Sequence, residues 1–221
     1  MITLHHLEKS RSQRILWLLE ELELDYEVVV YQRDPVSMAA PDSLSKVHPL
    51  GKAPILTDGE LTIAESGVII EYLIEHYDPL GRLKPSNGQA LLDYRYWLHF
   101  AEGSLMPLLV MKLVFTKMTS SPMPFFVKPI AKSISQKVQS AFVTPRITPQ
   151  LQFIDKTLEK STWLTGESLT GADIQMSFPL IAASSRIDLS KYPNIVRFIQ
   201  QIESSLTYQK ASRKVGSFTR L

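Results

Sequence analysis

Two serines near the amino terminus stand where a helix start could activate an anion. Ser10 and Ser12 lie in the polar turn KSRSQR, between a first apolar strand and the first amphipathic helix. Backbone N–H groups at a helix start lack partners and the helix dipole is positive there, so a hydroxyl at this place can donate to an anion. A thiolate supplied by a ligand would gain roughly 1.5–3 kcal/mol from one such hydrogen bond. The simpler interpretation is that Ser10 or Ser12 only caps the helix.

Residues 48–67 (HPLGKAPILTDGELTIAESG) could hold a peptide. A cis bond between Ala53 and Pro54 would present the Ala53 N–H and C=O to an extended chain, although most bonds before proline are trans. Ser66 is expected to be the N-cap of the next helix, where free N–H groups can bind a carboxylate, and Glu65 can accept from an ammonium group. Capping alone is the alternative here too. Small peptides with free carboxylates are therefore the first ligand class to test.

Composition narrows the chemistry further. The 221 residues include no cysteine, which excludes disulfides, thiolate metal sites and a catalytic protein thiol, so any reacting sulfur must come from the ligand. The five histidines form no metal-binding pattern, and a net charge of +2 argues against a mainly electrostatic nucleic-acid role. No apolar run approaches the roughly 18–20 residues of a membrane span, and residues 1–14 lack a signal-peptide core. We therefore expect a cytoplasmic protein.

The elements that must position these residues form one small α/β layer in the first 80 residues. Residues 2–7 predict a strand, and apolar residues spaced i, i+3, i+4, i+7 from Ile15 predict a helix to about Glu23. Residues 26–31 (YEVVVY) are typical of a buried parallel strand. Two short strands at 54–57 and 61–63, joined by a turn, precede a helix that ends before residue 78. The order is βαβ followed by ββα.

The strand signals vanish after the linker at 78–88. The remaining sequence predicts helices over about 89–119, 131–142, 150–160 and 174–181, and another beginning near Pro193. Pro107 should kink the first of these, Pro145 and Pro149 should interrupt the chain before the third, and Pro179 should strain the fourth. The sequence thus predicts an α/β domain at 1–80 and an all-α domain at 88–221.

Four motifs in this order resemble the glutathione S-transferase family, and the resemblance covers nearly the whole chain. They are SRSQRILWLLEEL, KAPIL, AESG and TGADIQMSFPL, and the details look most like a yeast or fungal-type subgroup also found in bacteria. The resemblance implies a thioredoxin-like domain that binds glutathione and a helical domain that carries an electrophile site. It also implies conjugation of glutathione to an electrophilic small molecule, a peroxidase reaction as a further activity to test, no metal, and a homodimer.

The resemblance also implies roles for individual residues. Ser10 matches the serine that stabilises the glutathione thiolate, because it lies four residues before Arg14, and Ser12 is the alternative. Ala53 and Pro54 would pair with the cysteinyl backbone. The other glutathione contacts would be Glu65 and Ser66 at the γ-glutamyl group, Lys52 and His48 at the glycyl carboxylate, and Glu102 reaching a partner subunit's site. The electrophile would lie against Met106, Met111 and Phe115.

A non-catalytic binding or assembly module with the same fold is the competing hypothesis, since a fold does not fix a function. Such relatives can lose ligand residues, yet Pro54, Glu65 and Ser66 are all present. Their presence favours a working glutathione site.

Overall fold

The computed structural model describes residues 1–216 and 218. The first part of the chain contains β1 Ile2–Leu7, α1 Ser12–Glu21, β2 Tyr26–Tyr31, α2 Asp42–Ser45, β3 Ile55–Asp58, β4 Leu61–Ala64 and α3 Ser66–Tyr77. The helices that follow are α4 Gly88–Phe100, α5 Met106–Ser120, α6 Lys128–Val138, α7 Thr144–Leu158, α8 Gly171–Ser184, α9 Pro193–Ser204 and α10 Leu206–Lys214. Single π-helical turns, Ala101–Leu105 and Gln139–Val143, join α4 to α5 and α6 to α7.

The four strands form one mixed sheet in the order β2-β1-β3-β4. β1 is parallel to β2 and antiparallel to β3, and β3 pairs with β4 across a two-residue hairpin loop. This topology confirms the predicted fold class. The expectation that β2 is buried is wrong: it is an edge strand, with Val29 40% and Val30 49% exposed. An apolar run cannot distinguish a central strand from an edge strand.

α1 is the element that joins the sheet to the helical part of the chain. Nine of its ten residues are buried, and it packs against α3, α8 and α10. The Trp17 ring, fully buried, meets Tyr208 of α10 edge-on with 5.6 Å between ring centroids. Because α1 is covered on all sides, the turn that precedes it is held in a fixed position.

Two prolines were expected to interrupt the helices and do not. α7 begins at Thr144, so Pro145 lies in its first turn and Pro149 lies inside it. Pro145 is tolerated because the first turn does not use the N–H that proline lacks. The helix is continuous through Pro149 because a buried apolar face holds it, formed by Ile147, Leu151, Ile154 and Leu158. α8 likewise runs through Pro179, and its start carries the predicted capping box between Thr170 and Asp173.

The π-helical turn before α5 ends two residues before Pro107, the proline at which a kink was predicted. Pro107 offers no N–H to the Gly103 carbonyl and crowds it, and a π-helical turn is one way a helix absorbs that mismatch. The whole stretch Gly88–Ser120 is long and apolar enough, by length and composition, to cross a bilayer, with a third of its most apolar window buried. From the sequence, no apolar stretch long enough for a membrane span was expected. Core helices of water-soluble proteins pass the same test, and this one supplies buried Tyr94, Trp97 and Leu109 to the core.

Candidate active site

A cleft of about 840 Å³ lies between the α/β layer and helices α5 and α8. Its size lies within the range of small-molecule sites. One wall comes from the loops and element ends of the α/β layer and includes Lys9, Ser10, Arg11, Arg33, His48, Lys52, Ala53, Pro54, Glu65 and Ser66. The other wall comes from the helical part of the chain and includes Glu102, Met106, Val110, Leu113, Lys117, Phe178 and Arg186.

The structure separates the two candidate serines. Ser10 lines the cleft and is 6% exposed, whereas Ser12 has no exposed surface and does not line it. The two hydroxyl oxygens are 2.7 Å apart, and the Ser12 N–H donates to Ser10 Oγ at 3.2 Å. Arg11 occupies the N-cap position of α1 and makes no side-chain capping bond. Ser10 therefore combines a local bond to the helix start with a place in the cleft.

His6 is a buried neighbour of this pair that the sequence reasoning missed. Its Nδ1 lies 2.8 Å from Ser12 Oγ, and burial lowers the pKa of the His6 imidazole to about 4. Alternation along β1 predicts opposite faces for His5 and His6, and His6 takes the buried one. That alternation could have marked His6 as buried, but its contact with Ser12 depends on how the turn folds back.

The structure brings the predicted peptide-binding residues together. The Ala53–Pro54 bond is cis, and Lys52, Ala53, Pro54 and His48 all line the same wall as Ser10. Lys52 is exposed and Pro54 is buried. This wall therefore presents a cation, an imidazole and an irregular backbone segment to the cleft.

Glu65 has an unusual backbone conformation at the start of α3. Its φ is +69°, and it occupies the N-cap position, so Ser66 is the first helical residue rather than the expected N-cap. Positive φ at a residue other than glycine costs about 1–3 kcal/mol and is concentrated at ligand sites. Glu65 and Ser66 both line the cleft beside the unpaired N–H groups of the α3 start. The arrangement can receive a carboxylate together with an ammonium group.

Glu102 lies in the cleft of its own chain, between two arginines. Arg11 Nε donates to both of its carboxylate oxygens, at 3.0 and 3.2 Å, and Arg14 Nη2 donates to Oε1. Arg14 is 1% exposed, and its Nη1 also donates to the Gln175 carbonyl at 2.7 Å. Burial lowers the pKa of the Arg14 guanidinium to about 10, against the opposing effect of Glu102. Within this chain Glu102 links α1 to the π-helical turn, and its implied contact with a partner subunit's site stays a prediction.

One of the three residues expected to contact the electrophile lines the cleft. Met106 lines the cleft, but Met111 and Phe115 are not among the lining residues. Met111 packs against the core, and the Phe115 carbonyl accepts from Ser135 Oγ at 2.8 Å. At 100° per residue, Met111 lies about 140° around the helix from Met106. The residues that share the face of Met106, at i+4, i+7 and i+11, are Val110, Leu113 and Lys117.

Two family models and several known proteins match this chain. The model of the glutathione S-transferase N-terminal domain matches residues 1–75, and that of the C-terminal domain matches residues 105–205. The chain is 34% identical to glutathione S-transferase 1 of Saccharomyces cerevisiae, covering 97% of this chain and 95% of that protein. It is 36% identical to glutathione S-transferase 3 of Schizosaccharomyces pombe, covering 99% and 90%.

A solved structure extends the match to three dimensions. The glutathione S-transferase of Actinobacillus pleuropneumoniae superposes with a TM-score of 0.79 at 36% identity, covering 98% of this chain and 94% of that one. Among the described residues, no group of three or more His, Asp or Glu side chains is placed to hold a metal ion. The family models, the relatives and the solved structure show that the chain belongs to the glutathione S-transferase family, whose enzymes use glutathione as co-substrate.

Proposed function

We propose that this enzyme binds glutathione along the α/β wall of the cleft and activates its thiol with the Ser10 hydroxyl. The observation that carries the proposal is the position of Ser10, which lines the cleft at the start of α1 and whose Oγ accepts from the Ser12 N–H. When this oxygen also accepts from the Ser12 hydroxyl, 2.7 Å away, the Ser10 hydroxyl proton is left for a sulfur atom.

The energies involved are adequate for the reaction. A free thiol has a pKa near ~8.5, and lowering it to ~6.5 requires about 2.7 kcal/mol of preference for the thiolate. One hydrogen bond to a charged acceptor supplies roughly 1.5–3 kcal/mol, and the helix start adds about 0.3–1 kcal/mol. Ser10 and the start of α1 can together hold most of the bound thiol ionised at neutral pH.

The remaining residues of this wall suit the rest of the tripeptide. In the proposal, the Ala53 backbone beside Pro54 pairs with the cysteinyl residue, and Lys52 and His48 face the glycyl carboxylate. Glu65 accepts from the γ-glutamyl ammonium group, and Ser66 with the α3 N–H groups binds its carboxylate. The electrophile then lies against Met106, Val110 and Leu113 of α5, within reach of the sulfur.

A conjugation assay tests the proposal. Purified protein with glutathione and chlorodinitrobenzene should form the thioether faster than the uncatalysed reaction, and the protein should be retained on glutathione resin. A parallel assay with an organic hydroperoxide tests the proposed peroxidase activity. Retention on the resin without either activity would favour the non-catalytic binding module, and the absence of retention and turnover together would contradict the proposed site.

We further propose that the protein is a cytoplasmic homodimer. An apolar face shared by α4 and α7 supports the dimer, because Leu92, Tyr96 and Phe153 are 57%, 47% and 48% exposed, and the last two rings meet at 6.0 Å. The absence of cysteine is compatible with a reducing compartment. Cell fractionation tests the location.

A further inference from the structure

Arg186, which follows α8, lines the cleft. It is half-buried, and among the described residues its Nη1 donates only to the Leu109 carbonyl, at 3.3 Å. Its Nε is buried with no hydrogen-bond partner, and no carboxylate among the described residues forms a salt bridge with it. Burial lowers the pKa of its guanidinium. In contrast, Arg11 and Arg14, on the other side of the cleft, share Glu102.

Arg186 reaches the wall of the cleft that α5 forms. Leu109, whose carbonyl it contacts, lies on α5 between Met106 and Leu113, which both line the cleft. Removing a cation from water without an opposite charge costs free energy, which a bound anion would offset. The planar guanidinium fork matches a carboxylate or sulfonate. Both glutathione carboxylates already have partners on the opposite wall in the proposed function.

We propose that the electrophilic substrate carries an anionic group on an apolar body and that Arg186 binds this group. The inference rests on the proposed function, and it names the substrate class. Lys117, one turn further along the same face of α5, is exposed and would add a weaker, screened attraction.

A matched pair of electrophiles tests the proposal. With 4-chloro-3-nitrobenzoate, the glutathione sulfur forms a bond to the ring carbon that carries chlorine, and chloride leaves with the bonding electron pair. The methyl ester reacts in the same way without the negative charge. Arg186→Met should lower kcat/KM for the acid at least ten-fold and for the ester less than two-fold. Equal effects on both substrates, or none on the acid, would overturn the proposal.

Binding of the conjugates separates this proposal from the proposed function. The wild-type protein should bind S-(4-carboxy-2-nitrophenyl)glutathione more tightly than its methyl ester, and Arg186→Met should abolish the difference. Lys117→Met is the matched control and should preserve most of it. A protein that shows this preference but does not turn over chlorodinitrobenzene would contradict the proposed catalysis and leave the anion subsite standing. Equal affinity of the wild type for both conjugates would refute the subsite alone.

A second inference comes from the hydrogen-bond chain behind Ser10. Ser10 Oγ lies 2.7 Å from Ser12 Oγ, which lies 2.8 Å from His6 Nδ1, and all three residues are buried. If Ser10 donates to the glutathione sulfur, its oxygen must accept from Ser12. The Ser12 oxygen must then accept from an N–H on His6 Nδ1. A neutral imidazole with its proton on Nδ1 meets this requirement.

The opposite direction of the chain would disable Ser10. Ser12 could instead donate to His6 Nδ1 or to the Leu7 carbonyl, which is 3.3 Å away. Ser10 would then be the donor between the two serines, and its proton would point away from the sulfur. The geometry points to His6 and Ser12 as positioning residues that direct and polarise the Ser10 hydroxyl.

Titration of the bound thiol tests this hydrogen-bond chain. The inference rests on Ser10 having the role given to it in the proposed function. The ultraviolet absorbance of the glutathione thiolate, followed against pH, should show a thiolate fraction three- to ten-fold lower at neutral pH in Ser12→Ala and His6→Leu. Glutathione Kd should rise only about three- to four-fold, because the bound thiol then gains less from ionisation. His6→Asn keeps an N–H near the position of Nδ1 and should restore most of the thiolate.

The variants also distinguish the possible failures. Circular dichroism and thermal unfolding establish that each variant folds. If His6→Leu does not fold, the titration of Ser12→Ala decides the test alone. A titration unchanged in Ser12→Ala, or a loss in His6→Asn as large as in His6→Leu, would overturn the positioning role. An unchanged titration in Ser10→Ala would instead contradict the proposed function.

Discussion

At the scale of single residues, Ser10 is the group on which the proposed chemistry depends most. Ser10→Ala removes the donor to the thiolate, so turnover at neutral pH should fall roughly 10- to 100-fold. The KM for glutathione should change little, because the peptide carboxylates are held elsewhere. The loss should shrink above about pH 8.5, where a thiol ionises without help.

Measuring kcat against pH for Ser10→Ala and Ser12→Ala tests this prediction. Ser12→Ala keeps the Ser10 hydroxyl, so its loss of turnover at neutral pH should be smaller. A larger loss in Ser12→Ala than in Ser10→Ala would contradict the assignment of the thiolate contact to Ser10.

Glu102 should contribute to stability as well as to the shape of the cleft. Glu102→Gln leaves the buried Arg14 guanidinium without its carboxylate, while the Gln175 carbonyl remains as a partner. Because Glu102 is itself one-third exposed, we expect a loss of about 1–3 kcal/mol in the free energy of unfolding, less than for a fully buried pair. Urea unfolding measures it, with the exposed Glu60→Gln as control, which should change by less than about 0.5 kcal/mol. Equal stability of the two variants would contradict this role.

The sequence identified residues of the site better than it identified their partners. Ser10, Glu65 and Ser66 were expected near a ligand from the chemistry of helix starts, and all three line one cleft. His6 was not, because its contact with Ser12 requires the turn after β1 to fold back on the strand. Arg186 was not either, since it lies over 170 residues from Ser10 and only the packing of α8 against α5 brings it to the cleft.

At the scale of elements, α5 lines the wall of the cleft against which the electrophile lies in the proposed function. Val110→Phe should narrow the cleft between Met106 and Leu113, and kcat/KM for a bulky electrophile should fall about ten-fold. The glutathione KM should not change. Val114→Phe is the matched control, because Val114 is exposed on the same helix but does not line the cleft. Steady-state kinetics with a small and a bulky electrophile would show the difference, and equal effects of the two variants would refute this assignment of the face.

The elements were predictable where periodicity is strong and misjudged where packing overrides a local rule. The apolar spacing of α1 predicted its position closely, because that helix is buried against several others. The break expected at Pro149 did not occur, since the buried face of α7 outweighs the lost hydrogen bond. The valines of β2 indicated a strand but gave no information about its place at the sheet edge.

At the scale of the whole molecule, the cleft exists only because two differently built parts of the chain meet. The α/β layer supplies the backbone and charged groups that suit a peptide, and α5 and α8 supply the apolar wall. The buried helix α1 and the link from Arg11 and Arg14 to Glu102 fix one wall against the other. This division explains why the peptide ligand could be predicted from sequence motifs, while the electrophile wall required the three-dimensional packing.

The last prediction concerns the interface of the proposed homodimer. In a two-fold symmetric interface each substitution occurs twice, so Tyr96→Glu would place two carboxylates in an apolar contact. If each costs about 2 kcal/mol, the dimer Kd should rise about 10³-fold. Sedimentation equilibrium measures this, with Leu80→Glu as control, because Leu80 is also apolar and more exposed than Tyr96 but lies in the linker. The same shift in Leu80→Glu, or a Tyr96→Glu dimer as tight as the wild type, would place the interface elsewhere, and a monomeric wild type would refute the dimer itself.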